Sequence, residues 1–158
     1  MSIHIGDIAP PFSLYSSEKQ LVNLSDFKGR NVLLLFFPLA FTSTCTKEMC
    51  STRDDIETYN AMDAEVLGIS IDTPQSLARY KQDLNLNFTL LSDFNKETIR
   101  AYDAIYEQFG HNMRGVGKRA AFVIDGQGVV RYAEVLENAG NLPDFEAIQN
   151  ALRNFQTT

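Results

Sequence analysis

The sequence predicts an α/β fold, with a mixed central β-sheet, helices on both faces and an N-terminal β-hairpin. Three observations carry that expectation. Val32-Leu33-Leu34-Leu35-Phe36-Phe37 is apolar without alternation and stops at Pro38, as a strand covered on both faces does. Val66-Leu67-Gly68-Ile69-Ser70-Ile71 reads as a second buried strand, and the stretch between the two has helical spacing. A strand, helix, strand order implies a parallel pair with a right-handed crossover. Gly126-Gln127-Gly128 separates two β-rich runs, 120–125 and 129–135, which is a hairpin signal and makes the sheet mixed.

Taken in order, residues 12–15 and 20–24 flank Ser16-Ser17-Glu18-Lys19 as the strands of the N-terminal hairpin, an addition ahead of the main unit, and 25–29 close it as a turn. After the first buried strand, Met49, Ile56, Tyr59 and Met62 fall at helical spacing from about Thr44 onward, while Asp54, Asp55 and Glu57 face water, so one long helix is expected. Pro74, following Asp72-Thr73, opens a second helix marked by Leu77, Tyr80, Lys81 and Leu84. A short strand over 88–91 and a further helix over 95–102 come next. Residues 103–118 hold three glycines and no clear period, and read as mostly loop with room for one helical turn. An amphipathic helix over 143–155 closes the chain.

A length of 158 residues suits one domain, 1–158. The net charge of −6 argues against a broad footprint for nucleic acid or an anionic membrane. The longest nearly apolar run, 32–41, is far short of the roughly 18–20 residues of a membrane helix. The opening Met1-Ser2-Ile3-His4-Ile5-Gly6-Asp7 lacks a charged stretch followed by an apolar one, so a cytoplasmic location is expected. Two cysteines cannot build a disulfide framework, and in a reducing compartment such a pair is more often catalytic, redox-sensing or metal-binding.

Cys45 stands where the loop after the first buried strand turns into helix. Unpaired amide N–H groups and the helix dipole stabilise an anion there, which makes Cys45 a candidate nucleophile. Thr42 suits a helix N-cap. Cys50 lies five residues further on, so on an ideal helix the two Cα atoms are roughly 8–9 Å apart and point about 140° from one another. That is beyond the ~7 Å limit for a disulfide, and a bond between them requires the first helical turns to unwind. His4 and His111 have no zinc-motif spacing to the cysteines, and Gly115 and Gly117 lack the context of a nucleotide-binding loop.

Pro38-x3-Thr42-x2-Cys45, continued by Thr46-Lys47-Glu48-Met49-Cys50, resembles the active-site signature of the peroxiredoxins. The run from Arg119 to Gly128 is similar to that family's arginine-bearing strand and hairpin, and Gly6 to Phe12 to its opening, so the resemblance spans nearly the whole chain. The stretches 36–42 and 90–94 are similar to the E-type, one-cysteine alkyl hydroperoxide reductases. Cys-Thr-x-Glu-x-Cys is instead similar to the Q-type, or bacterioferritin-comigratory, branch.

The resemblance implies a thioredoxin-like fold and reduction of hydrogen peroxide and organic hydroperoxides by the Cys45 thiolate, with no metal and no organic cofactor. It further implies that the Cys45 amide and the Thr42 hydroxyl bind peroxide oxygens, that Arg119 supplies fixed donors and permanent charge, and that Pro38 shapes the loop and limits water. Glu48 either orients Arg119 by ion pairing or simply stabilises the first helical turn. Cys50 is either a core cysteine or, as the Q-type resemblance implies, the resolving thiol. A thioredoxin-like or glutaredoxin-like protein would then be the reductant, and relatives of this kind are often homodimers that pair near the active-site loop. Phe41 and Phe109 are candidates for lining a site for alkyl hydroperoxides, for the core or for such an interface. Two rivals stand beside this reading. A disulfide reductase would show Cys-x2-Cys where this chain has Cys-x4-Cys, and a redox-sensing module would use the same oxidisable cysteine without turnover.

Overall fold

A computed structural model describes residues 2–155. Its elements run β1 (Ser13–Ser16), β2 (Leu21–Asn23), β3 (Asn31–Phe36), α1 (Ser43–Asp54), α2 (Ile56–Ala61), β4 (Ala64–Ser70), α3 (Pro74–Leu84), β5 (Thr89–Ser92), α4 (Glu97–Ala101), β6 (Ile105–Tyr106), β7 (Val116–Gly117), β8 (Ala120–Ile124), β9 (Val130–Val135) and α5 (Phe145–Asn154). Seven strands form one sheet in the order β2-β1-β5-β4-β3-β8-β9. The β3–β4 and β4–β5 pairs are parallel and the others antiparallel.

The unalternating run becomes β3, buried at every position. Its side chains divide by the two-residue period of a strand. Leu33, Leu35 and Phe37 pack under α1, α2, α3 and α5 with Met49, Tyr59, Leu77, Tyr80, Ile148 and Leu152. Val32, Leu34 and Phe36 pack on the opposite face with Ile99, Tyr102 and Phe122. Helices therefore cover both faces. Truncating one of these leucines to alanine removes core contacts worth about 2–5 kcal/mol. The βαβ unit of β3 and β4 lies beside the hairpin of β8 and β9, whose second strand forms one edge of the sheet and is followed by α5, the arrangement expected of a thioredoxin-like fold.

Local chemistry sets the helix ends. Thr73 accepts the Ser76 amide at 3.1 Å and Pro74 occupies the first position of α3, while Asp144 accepts the Ala147 amide at 3.1 Å ahead of α5.

Three expectations need correction. The long helix from Thr44 is two helices that break at Asp55. The apolar period runs through the break because both helices cover the same face of the sheet. Residues 103–118 contain a small antiparallel ladder, Ile105 opposite Gly117 and Tyr106 opposite Val116, too short to show alternation in sequence. The N-terminal hairpin is no appendage: Tyr15 pairs with Ser92 and Ser16 with Leu91, so β1 continues the main sheet. No helix among the described residues is long and apolar enough to cross a membrane.

Candidate functional site

The register of the sheet delivers four segments to one end. Phe36 pairs with both Ile69 and Ala120, and Ala120 pairs with Val135. The next residues past those pairs are the Pro38 turn after β3, Ser70 at the end of β4 with Asp72 beyond it, Arg119 ahead of β8, and the loop after β9. The Leu136 amide donates to the Arg119 carbonyl at 2.9 Å and continues the ladder.

Pro38 is buried and Phe41 takes a left-handed φ of 68°, unusual for a non-glycine residue. This turn brings the chain sharply into α1. Thr42 stands at the N-cap with extended backbone, and its carbonyl accepts the first helical bond, from Thr46 N–H at 2.9 Å. The side-chain cap expected of it is not made. Instead the Thr42 hydroxyl donates to the Leu39 carbonyl at 2.7 Å. The amides of Ser43, Thr44 and Cys45 fall in the first turn, whose N–H groups have no intrahelical acceptor.

The Cys45 sulfur lies at that end, with the residue fully buried beside Ala40 and Met49. Arg119 is 2% exposed and reaches the sulfur with two donors, Nη1 and Nη2, each 3.3 Å from Sγ. Nη1 also donates to Glu48 Oε1 at 2.8 Å. Nε and Nη2 donate to the Ala139 carbonyl at 3.2 and 2.9 Å. A guanidinium has five N–H donors, and these five contacts occupy them all. Burial lowers the guanidinium's proton affinity, but attraction to Glu48 and Cys45 outweighs that and holds it above its ordinary value.

Glu48 is fully buried and only Oε1 has a partner; Oε2 has none. Burial pushes its carboxyl up to about 7, Arg119 opposes the rise, and Glu134 on β9 adds to it. One cation therefore stands between two acids. When Glu48 is neutral, the Arg119 charge acts on Cys45 alone. Tyr80 closes the other side of α1: its hydroxyl lies 3.1 Å from the Thr46 hydroxyl, and burial pushes its pKa well up.

Cys50 lies on the same unbroken helix, half-buried, and both cysteines are free. It is not a residue of the buried core. Phe41 is 56% exposed with its ring edge-on to Tyr80 at 5.0 Å, while the Phe109 ring lies tilted against Tyr106 at 5.3 Å. His4 and His111 are exposed, and no three His, Cys, Asp or Glu side chains gather in metal-binding fashion among the described residues.

The structure thus joins Cys45, Glu48 and Arg119 by direct contacts, sets Thr42 at the cap three residues before Cys45 and Pro38 in the turn ahead of it, and leaves Cys50 outside those contacts. Sequence reasoning missed Ala139, which acts through a backbone carbonyl that any residue type carries. It also missed Asp72, whose Oδ2 accepts the Ala40 amide at 2.8 Å.

Comparison with known proteins identifies the family. The model of the AhpC/TSA family matches residues 5–133. Peroxiredoxin Bcp of Escherichia coli K12 is 39% identical over 129 residues, covering 80% of this chain and 82% of the relative. Among solved structures, peroxidoxin BcpB from Mycobacterium tuberculosis superposes with a TM-score of 0.85 at 25% identity, covering 96% of this chain and 97% of that one. Peroxiredoxin Q of Xanthomonas campestris, at 23% identity and a TM-score of 0.81 over 96% of each chain, bears on the fold alone. With the family model spanning most of its length around a buried Cys45, the chain belongs to the AhpC/TSA family and is a peroxiredoxin, a thiol-dependent peroxidase.

Proposed function

We propose that Cys45 is the peroxidatic thiol and that Thr42, the Cys45 amide and Arg119 bind a hydroperoxide, hydrogen peroxide or an organic one, against it. The observation that carries this reading is the paired Arg119 contact to Sγ at 3.3 Å, made at the N-terminal turn of α1. Fixed positive charge and outward amides both stabilise negative charge on sulfur. The Thr42 hydrogen is committed to Leu39, so its oxygen is left to accept the O–H of the peroxide and orient the O–O bond for attack. Buried Pro38 has no amide to offer water.

In the first step the thiolate attacks one peroxide oxygen, the O–O bond breaks, and the released oxygen takes a proton and leaves as water or alcohol. Sulfur is oxidised to sulfenic acid. Glu48 positions Arg119. Cys50 then attacks the sulfenic sulfur, water leaves, and a disulfide forms that a thioredoxin-like or glutaredoxin-like protein reduces. This second step requires α1 to open. The Thr46–Tyr80 contact lies in the turn that must move, whereas Arg53 to the Leu84 carbonyl at 2.6 Å and Asn87 to the Arg53 carbonyl at 3.2 Å anchor the end that stays. The continuous α1 favours a second reading for this step alone, direct attack on Cys45 by an external thiol.

Rapid-mixing kinetics of the reduced protein with hydrogen peroxide test the assignment. Cys45→Ser is expected to lower turnover by roughly a thousandfold or more, because a serine hydroxyl stays protonated near neutral pH. Near-normal turnover by Cys45→Ser excludes the reading.

A further inference from the structure

We infer that Asp72 is a positioning residue for the peroxide-binding turn, an inference that rests on the assignment of Thr42 and Cys45 to that turn. Asp72 lies 27 positions beyond Cys45 in sequence, after β4, and touches neither sulfur nor Arg119 in any contact described above. Its Oδ2 accepts the Ala40 amide at 2.8 Å, and the Ser70 hydroxyl donates to the same oxygen at 2.7 Å. The Asp72 carbonyl is held in turn by the Ser92 hydroxyl at 2.6 Å. A rigid chain of hydrogen bonds thus runs from the ends of β4 and β5 into the turn after β3.

Ala40 is the residue at which that restraint acts with most leverage. It immediately precedes Phe41, whose left-handed φ of 68° reverses the chain into Thr42. A non-glycine residue holds such a conformation only where its surroundings over-determine it. Leu39 is fixed on the other side by the Thr42 hydroxyl. Asp72 and Thr42 therefore grip the turn from its two ends, one from outside the segment and one from within. Releasing the outer grip lets Phe41 relax, which moves the Thr42 oxygen relative to Sγ while leaving Arg119 and Glu48 in place. A displacement of about 1 Å at a reacting geometry costs on the order of 100-fold in rate.

The test measures two quantities on the reduced full-length protein carrying Cys50→Ser: the second-order rate with hydrogen peroxide, and the pH titration of thiolate ultraviolet absorbance. Asp72→Ala is expected to lower the peroxide rate roughly 10- to 100-fold with the thiolate titration unmoved. Asp72→Asn keeps an oxygen able to accept the Ala40 amide, and is expected to stay within about threefold of the parent on the same geometric argument. Ser70→Ala leaves the carboxylate but frees it to turn, and is expected to fall between the two; if Asp72→Ala does not fold, its rate decides. An Asp72→Ala rate equal to the parent's overturns the inference, as does a titration that shifts along with the rate, or an Asp72→Asn variant as slow as Asp72→Ala. A parent rate that Cys45→Ser leaves intact removes the functional assignment instead, so the two failures are distinct.

Discussion

Two cysteines share α1, yet their surroundings differ in kind. Cys45 is buried and meets side chains drawn from far along the chain, above all Arg119. Cys50, less than two turns on, is half-buried and has no such counterpart among the described residues; Arg53, on its own helix, interacts with it electrostatically. Secondary structure is the same for both, so being helical does not set them apart. Two things do: Cys45 stands in the first turn of α1 and Cys50 beyond it, and the sheet register places the Cys45 sulfur opposite the residue before β8.

That contrast can be broken by removing what singles out Cys45. Arg119→Lys keeps the charge but loses the fork that meets sulfur, Glu48 and Ala139 together, and the peroxide rate is expected to drop about 100-fold. A rate within a few-fold of wild type, measured by rapid mixing, places the selectivity elsewhere.

Glu48→Gln sharpens the contrast through stability. The folded carboxyl titrates near 7 and the ordinary one near 4.5. Between those values the unfolded chain releases a proton that the folded chain keeps, so wild type loses stability as pH rises through the window and recovers none of it above. The loss is about 3 kcal/mol at most. Urea midpoints taken across that range are expected to fall for wild type and stay flat for Glu48→Gln; parallel profiles contradict the site's shared-cation picture.

Cys50→Ser is expected to have the smallest effect on the first step, with a peroxide rate unchanged within about twofold, because Cys50 lies outside the group proposed to bind the peroxide. Its effect appears afterwards. Intact mass after one equivalent of peroxide is expected to show wild type short of two hydrogen atoms, as a disulfide, and the variant heavier by one oxygen. Wild type carrying the extra oxygen instead assigns the cycle to an external thiol.

Much of this was legible in the chain. The unbroken apolar run of β3, Pro74 ahead of α3 and the glycine turn before β9 each announce themselves through a single strong local signal. Cys45 stood out by its place at a helix start, whereas Thr42, Glu48 and Arg119 stood out only through the peroxiredoxin resemblance, since each residue type has an ordinary structural use as well. The break at Asp55 was hidden, since an apolar face can continue across two helices packed on one sheet. Asp72 and Ala139 were hidden for another reason: a carboxylate after a strand is ordinary, and a carbonyl is universal. Only the three-dimensional register shows that one of these groups holds the Ala40 amide and the other the Arg119 guanidinium.

The full engagement of Arg119 sets the terms on which a substrate enters. Arg119 has no spare donor, so on the proposed reading it binds by exchange: each hydrogen bond it offers to a peroxide oxygen is withdrawn from sulfur, from Glu48 or from the Ala139 carbonyl, while the Cys45 amide is the donor still open. Arg119's own net gain in the ground state is correspondingly small. As the S–O bond of the proposed reaction forms, negative charge leaves sulfur and gathers on the departing oxygen, where the donors released from sulfur can follow it. Affinity is thereby held back until the moment of bond breaking, which favours fast passage over accumulation of bound peroxide.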